Sequence, residues 1–290
     1  MTWVNTIVQG VLLGGLYALF ATGLSLIFGV MGVVNLAHGV LTLLASYIAL
    51  VIVEATGINP LLAIAFVVPV MFVLGYVAQR ALINPTLDGG PLPPLLVTFG
   101  LAIILENTLL EIFTADSQGL HAGPIERASI EITNRLSVGW MPVIIFLAAV
   151  VLLGCLQLFF DRTLFGRALR ATADDRETAR LMSIDDRSIY GIAMGIALAI
   201  AGVAGVFTGV RTTFGPLDGP TLLVFAFEAV IIGGLGSLWG TLLGGVILGV
   251  AQSVGEQLAP GWFQLAGHVV FLTVLALRPE GLFPRAKVRA

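Results

Sequence analysis

The sequence has few charged residues for its length. Charged side chains make up 11% of the 290 residues, whereas a soluble domain carries about 25%. None of them lies between Met1 and Val53. So few polar groups cannot cover a water-soluble globule of this length, so lipid must solvate much of the exterior. The mean hydropathy of +1.02 points the same way. The sequence therefore predicts a membrane protein.

Cysteine and lysine are also scarce, and each scarcity excludes a kind of chemistry. Cys155 is the only cysteine, which excludes an intrachain disulfide and any multi-cysteine metal site. Lys287 is the only lysine and precedes valine, whereas a phosphate-binding loop needs lysine followed by serine or threonine. The chain therefore has no such loop to hydrolyse ATP. His121 and His268 are isolated, and no pattern predicts a catalytic residue, a metal ligand, a cofactor or a nucleic-acid partner.

Long uncharged stretches predict an all-α bundle of membrane-spanning helices, with residues 1–290 as a single domain. A helix needs about 20 apolar residues to cross the hydrocarbon core. We expect nine spans, within a range of eight to ten, because glycine-rich breaks in the second, seventh and eighth allow re-entrant turns. The nine are Thr6–Phe28, Leu36–Val53, Leu61–Gln79, Leu95–Phe113, Trp140–Phe160, Ile189–Val210, Thr221–Leu235, Gly240–Gly255 and Trp262–Leu277. No basic residue precedes the first, so it is expected to be a permanent span and not a signal peptide.

The basic residues predict which ends of the spans face the cytoplasm, because short loops rich in arginine and lysine are retained there. One group lies in a charged loop, residues 161–188, and another follows the last span. An even number of crossings separates the two groups, so both are expected in the cytoplasm, together with the C-terminus and Arg80. The loop from Ala115 to Arg135 is then outside. Nine spans place the N-terminus outside as well, and a re-entrant segment would reverse its side. The basic residues are Arg162, Arg167, Arg170, Arg176, Arg180 and Arg187 in the loop, and Arg278, Arg285, Lys287 and Arg289 in the tail.

Within the charged loop, Arg167–Met182 predicts a short amphipathic helix lying at the cytoplasmic surface. The segment lacks glycine and proline and is rich in residues that favour helix. Arg170 with Asp174, and Glu177 with Arg180, are spaced to pair across one turn. Two interpretations fit the loop: a solvated linker whose arginines fix the topology, and a docking element for a soluble partner.

Five polar residues at membrane depth are candidates for a translocation path. Glycines flank the first two, so their polar groups either line a path for a zwitterion or tie two helix ends together. The two carboxylates interrupt apolar runs and should face protein or water. Structural pairing, for example of Glu228 with Arg211, is the alternative to a role in the path. The five are Asn35, His38, Glu106, Asn107 and Glu228.

Five stretches, in this order along the chain, resemble the permease subunits of ABC importers of the branched-chain (hydrophobic) amino acid type. The resemblance implies a permease in a bacterial inner membrane that works with cytoplasmic ATPase subunits, a second homologous permease subunit and a periplasmic substrate-binding protein. Branched-chain amino acids are then the default substrate, and urea or short amides are the alternatives within the family. The stretches are GVMGVVNLAHG at Gly29–Gly39, LLVTFGLAIILEN at Leu95–Asn107, FGRALRATADDRETARLMSIDDRSI at Phe165–Ile189, EAVIIGGLGSLWGTLLGG at Glu228–Gly245 and LRPEGLF at Leu277–Phe283.

The resemblance also implies that the charged loop is the coupling segment that seats in a groove of the ATPase. Ser183 departs from the family pattern, because relatives commonly have glycine there. A proton-coupled secondary transporter, with Glu106, Glu228 or Asp218 carrying protons, is the rival function from a different class. The residues that would make the ATPase contact are Gly166, Arg167, Arg170, Ala171, Ala179, Arg180 and Leu181.

Overall fold

The computed structural model describes residues 2–133 and 136–283, which are mostly helical. Arg135, Arg285, Lys287 and Arg289, which enter the predicted topology, lie outside the described residues. A two-stranded antiparallel hairpin precedes the sixth helix. In chain order the elements are α1 (Thr2–Met31), α2 (His38–Thr56), α3 (Pro60–Ala78), α4 (Leu92–Phe113), α5 (Pro124–Arg127), β1 (Ser129–Thr133), β2 (Leu136–Gly139), α6 (Trp140–Arg162), α7 (Leu164–Asp174), α8 (Arg176–Leu181), α9 (Asp186–Arg211), α10 (Gly219–Gly233), α11 (Leu238–Leu258) and α12 (Phe263–Leu277).

Every predicted span is a helix in the structure. Within the described residues, eight helical segments are long and apolar enough to cross a membrane, and α12, with 15 residues, is a shorter apolar helix. The predicted class, an all-α bundle of eight to ten spans, is confirmed. The boundaries differ by a few residues. For example, α1 continues to Met31 and α2 begins at His38.

Glycines hold the centre of the bundle together because they let helix backbones approach closely. α1 and α11 run antiparallel, and glycines of each face the backbone of the other. A methyl group at Gly10 would lie 2.6 Å from the Cα of Val250, and one at Gly245 would lie 2.6 Å from the carbonyl oxygen of Gly14. A methyl group at Gly249 would overlap the carbonyl oxygen of Gly10. We call this contact the α1–α11 seam.

Contacts at the helix ends define two ends of the bundle. At one end, Arg80 donates a hydrogen bond to the hydroxyl of Ser188, so the connection after α3 lies beside the charged loop. At the opposite end, the side chain of Gln9 donates to the carbonyl of Ser137, so the start of α1 lies beside β2. The sequence predicts Arg80 and the charged loop on the same side of the membrane, and the start of the first span on the opposite side. These contacts agree with that relative placement.

The charged loop forms two helices, α7 and α8, so the prediction of one continuous helix over Arg167–Met182 is wrong. The chain breaks at Asp175, whose backbone is extended, with φ −151° and ψ 104°. Its carboxylate accepts hydrogen bonds from the amides of Glu177 and Thr178 and so caps α8. Aspartate is a poor residue inside a helix but a good N-cap, because its side chain competes for nearby amides.

Candidate coupling and translocation sites

Ion pairs hold the charged loop against the ends of two spanning helices. Nη1 of Arg170 lies 2.8 Å from Oδ1 of Asp161 near the end of α6. Nε of Arg176 and Nη2 of Arg180 lie 2.5 and 2.9 Å from Oδ2 of Asp186, where α9 begins. These pairs join the loop to α6 and α9, whereas the sequence predicted partners for Arg170 and Arg180 inside a single loop helix.

The carboxylate of Asp186 is the central group of this anchor. Its side chain is only 6% exposed, and a carboxylate so far from water needs paired charges and hydrogen bonds. Two guanidinium groups supply them. The hydrogen bond to Asp186 raises the pKa of Arg180 above its usual value, and the hydroxyl of Thr178 lowers the pKa of the capping Asp175. Both groups are therefore ionised at neutral pH.

The predicted ATPase-contact residues divide into exposed and buried groups. Arg167, Ala171 and Leu181 are exposed. Gly166 and Ala179 are buried, and a methyl group at Gly166 would overlap the backbone of α6. These two positions therefore pack the loop onto the bundle. The remaining two residues, Arg170 and Arg180, form the ion pairs described above.

The outer surface of α7 and α8 is unusually apolar for a charged segment. Leu164 is 76% exposed, Leu181 86% and Met182 75%. Large apolar side chains that are so exposed in a charged segment are candidates for an interaction surface. Leu164 and Met182 were not among the predicted ATPase-contact residues. Apolar side chains inside an otherwise polar loop are the signal that identifies them.

Ser183 ends α8 in a left-handed backbone conformation, with φ 62°. Its amide donates to the carbonyl of Arg180 at 3.0 Å, and the amide of Ile184 donates to the carbonyl of Ala179 at 3.1 Å. This arrangement is a Schellman motif, whose left-handed position strongly favours glycine. The left-handed backbone at position 183 therefore explains physically why relatives commonly have glycine there.

Asn35 and His38 lie where the chain turns between α1 and α2, and both are fully buried. Oδ1 of Asn35 accepts from the amide of Ala37 at 3.0 Å, and Nε2 of His38 lies 2.9 Å from the carbonyl oxygen of Phe20. Since that carbonyl can only accept, the imidazole donates from Nε2. α2 therefore starts beside the middle of α1. His38 thus ties the start of α2 to the middle of α1 and not to another helix end.

Glu228 is buried and pairs with His268 of α12 through Nδ1, so the suggested pairing with Arg211 is wrong. Arg211 of α9 lies within electrostatic reach of Tyr17. The hydroxyl of Tyr17 in turn donates to the amide oxygen of Gln252 on α11, and Glu228 lies within its electrostatic reach. The structure thus assembles a polar cluster from five helices inside an apolar bundle.

Sequence reasoning missed three members of this cluster. His268 looks isolated in the sequence because its partner is 40 residues away. Tyr17 and Gln252 follow Gly14 and Gly249 by three residues each, so they share the side of the helix that forms the α1–α11 seam. A polar side chain three residues after a packing glycine is the signal that identifies them.

The candidate path residues therefore lie in three places. Asn35 and His38 are at the α1–α2 turn, Glu228 is in the polar cluster, and Glu106 and Asn107 are on α4. Asn107 is exposed and Glu106 is half-buried. Among the described residues, the amide of Leu36 at the turn donates to the hydroxyl of Thr98 on α4, but no hydrogen bond or ion pair joins the five candidate residues across these places.

Two cavities flank the end of α1 under the charged loop. One has a volume of about 420 Å³, and its lining includes Gly32, Thr172 and Arg176. The other has a volume of about 370 Å³, and its lining includes Gln157 and Arg170. The loop is therefore anchored by ion pairs while space remains between it and the bundle.

A bundle of apolar helices with an anchored, partly apolar loop at one end has the architecture of a membrane permease. Comparison with known families agrees with this class. The family model described as "Branched-chain amino acid transport system / permease component" matches residues 6–277. The chain belongs to this family, and the resemblance found in the sequence is confirmed.

Individual relatives cover nearly the whole chain. The high-affinity branched-chain amino acid transport system permease protein BraD of Pseudomonas aeruginosa is 29% identical, over 99% of this chain and 97% of that protein. The corresponding protein LivH of Escherichia coli K12 is 30% identical, over 97% and 95%. A probable LivH of Methanocaldococcus jannaschii is 29% identical, over 95% and 91%. Among solved structures, PsaBC from Streptococcus pneumoniae matches with a TM-score of 0.47 and 14% identity, over 95% of this chain and 93% of that chain.

Proposed function

We propose that the chain is the permease subunit of an ATP-driven importer that receives a branched-chain amino acid from a periplasmic binding protein. The similarity to branched-chain amino acid permeases along nearly the whole chain supports this substrate class. Separate cytoplasmic subunits hydrolyse the ATP, because the sequence has no phosphate-binding loop. The end that bears the charged loop and the C-terminus faces the cytoplasm of a bacterial inner membrane, because the arginines are concentrated there.

The observation that carries the proposal is the anchored charged loop with its exposed apolar side chains. An ATPase subunit binds the exposed loop residues, which are Leu164, Arg167, Ala171, Leu181 and Met182. Since ion pairs join α7 to α6 and α8 to α9, a displacement of the loop is passed to both spanning helices. This loop couples closure of the ATPase to movement of the bundle.

The candidate path residues supply polar contacts to a substrate that is mostly apolar. A branched-chain amino acid carries a carboxylate and an ammonium group on one carbon, and these groups need polar partners at membrane depth. Glu106 and Glu228 offer oxygens to the ammonium group, while Asn35, His38 and Asn107 offer further polar contacts. Apolar walls around them accept the side chain.

Replacing Leu181 with glutamate tests the coupling role. Because Leu181 is 86% exposed in the chain, we expect L181E to insert and fold normally. A central apolar anchor of an interface contributes about 2 kcal/mol or more, so uptake and recovery of the ATPase with the purified permease should each fall roughly tenfold or more. Radiolabelled uptake and co-purification measure the two effects.

The matched control is E177Q, an exposed change on the same loop outside the apolar surface, which should keep wild-type uptake. Full uptake by L181E and by M182E would rule out docking through this surface. Uptake by the chain in proteoliposomes without ATPase subunits, driven by a proton gradient, would contradict the proposal and favour a secondary transporter.

A further inference from the structure

A third cavity is a groove lined entirely by apolar side chains. It lies between α6 on one side and α3 with α9 on the other, and its volume is about 350 Å³. Sites for small molecules have volumes of about 300–1,000 Å³. Two of its lining residues, Leu156 of α6 and Ile200 of α9, are buried, so the groove reaches into the bundle. We call it the α6–α9 groove.

The α6 wall of the groove leads to an arginine. Leu152, Cys155 and Phe159 line the groove from one side of α6, and Arg162 follows Phe159 by one turn on that side. Cys155 precedes Arg162 by about 10 Å, at 1.5 Å per residue, so the groove lies at membrane depth. Arg162 is exposed. Among residues 2–133 and 136–283, no hydrogen bond or ion pair is found for it.

The opposite wall leads to a second arginine, because α3 runs along α9 from the groove to the end that bears the charged loop. A methyl group at Gly195 of α9 would lie 2.9 Å from the ring of Phe72, which lines the groove. One turn nearer the loop, a methyl group at Gly191 would lie 2.9 Å from the ring of Tyr76 and 3.4 Å from Cγ of Arg80. Arg80 and Arg162 thus lie at the same end of the groove, one on each wall.

The charge of Arg80 is partly used by the protein. Nη1 donates to the hydroxyls of Tyr76 and Ser188, and Asp185 lies within electrostatic reach. For Nε and Nη2, no acceptor is found in the part of the chain that the structure describes. A guanidinium group has five N–H donors, so Arg80 can still donate to an anion, while Arg162 brings a positive charge without a protein partner among those same residues.

We infer that the α6–α9 groove binds an acyl chain of an anionic phospholipid, whose phosphate lies between Arg162 and Arg80. Hydrocarbon matches a lining that has no polar group to satisfy. Guanidinium groups bind phosphate through paired donors, and basic pockets between spanning helices on the cytoplasmic side bind anionic headgroups. The lipid therefore comes from the cytoplasmic leaflet of the proposed orientation. It fills the space between α6 and α9, the two helices that the charged loop joins.

Lipid binding to the detergent-purified chain tests the inference. The probes are phosphatidylglycerol, which is anionic, and phosphatidylcholine with the same acyl chains, whose choline cation opposes the two arginines. We expect native mass spectrometry to show one tightly held phosphatidylglycerol with roughly tenfold higher affinity than phosphatidylcholine. Added phosphatidylglycerol should also raise the melting temperature more than phosphatidylcholine does. Equal affinity for the two lipids would overturn the inference.

The headgroup contact is tested by R162Q, with R278Q as the matched control. R278Q removes the same charge from an exposed position that follows α12, a helix that does not line the groove. R162Q should weaken phosphatidylglycerol binding roughly fivefold to tenfold, and R278Q should leave it at the native level. An equal loss in both variants would show a general effect of surface charge and no site.

The acyl-chain contact is tested by filling the groove. Cys155 is exposed, so we expect C155W to fold, which its melting temperature without added lipid checks. The indole should displace the acyl chain and abolish tight binding although both arginines remain. L158W changes an exposed residue of α6 that does not line the groove and should bind as the native chain does. Native affinity in C155W would place the lipid elsewhere and contradict the inference.

Photo-crosslinking in cell membranes identifies the occupant of the groove independently. The photoreactive amino acid p-benzoylphenylalanine replaces Phe159, and mass spectrometry identifies what is attached to it. We expect a phospholipid adduct, and an adduct only with another polypeptide would show that a partner helix covers the groove and would overturn the inference. None of these measurements uses uptake, so a failure here leaves the proposed function standing, and normal coupling by L181E leaves the lipid site standing.

Discussion

At Ser183 the chain takes a backbone conformation that L-residues rarely adopt. The left-handed φ of 62° places Cβ close to the following carbonyl oxygen, which costs roughly 1 kcal/mol compared with glycine. In return, the amide of Ile184 binds the carbonyl of Ala179, and the chain turns directly toward α9. Comparison with the family pattern marks this position, but only the dihedral angle explains why glycine is preferred there.

The variant S183G should therefore stabilise the chain by about 0.5–1 kcal/mol, because relief of the left-handed strain outweighs the greater freedom of glycine in the unfolded state. The corresponding rise in melting temperature is about 2–4 °C for a chain of this size. Thermal unfolding of the detergent-purified protein measures it. S183A keeps the Cβ atom and should show no gain, and a lower melting temperature for S183G would contradict the assignment of strain.

α7 and α8 show what local sequence can and cannot predict about an element. Ala, Leu, Arg and Glu predict helix across the loop, and helix is found. The break at Asp175 was not predicted. Its position depends on partners of α8 that lie outside that helix, because Arg176 and Arg180 pair with Asp186 of α9.

Spanning helices are predictable from the sequence because one long apolar run is enough to identify each of them. The contact of Glu228 with His268 joins residues far apart in sequence, so no local pattern reveals it.

Removing the N-cap of α8 should loosen that helix. In D175A the amides of Glu177 and Thr178 lose their acceptor, so we expect faster hydrogen exchange over Arg176–Leu181 and weaker coupling. D175N keeps an acceptor oxygen and should exchange nearly as the native chain does. Exchange followed by mass spectrometry measures the difference, and equal exchange in D175A and the native chain would contradict the capping role.

The stabilisation that the Asp175 N-cap gives to α8 should decrease as the pH falls. The hydrogen bond from Thr178 lowers the pKa of folded Asp175 below its usual value. The carboxylate therefore stabilises the fold above the unfolded pKa of about 4, and this contribution is lost as the pH falls through the lower folded pKa. Intrinsic exchange rates also change with pH, so the comparison is the ratio of exchange in D175N to that in the native chain at each pH.

The α1–α11 seam should tolerate no side chain. A methyl group at Gly249 would overlap the carbonyl oxygen of Gly10, so G249V must separate the two helices or fail to fold. We expect little or no monodisperse protein by size-exclusion chromatography. G154V, at an open glycine, should purify normally, and a G249V protein with the native melting temperature would show that the seam is packed differently.

The seam also limits how the molecule can move. Where two backbones touch, neither helix can slide or rotate past the other without main-chain overlap, whereas helices separated by side chains can shift as rotamers change. α1 and α11 therefore act as one stiff strut. Any rearrangement that opens the bundle first to one side of the membrane and then to the other leaves this strut intact, and takes place at joints packed by side chains.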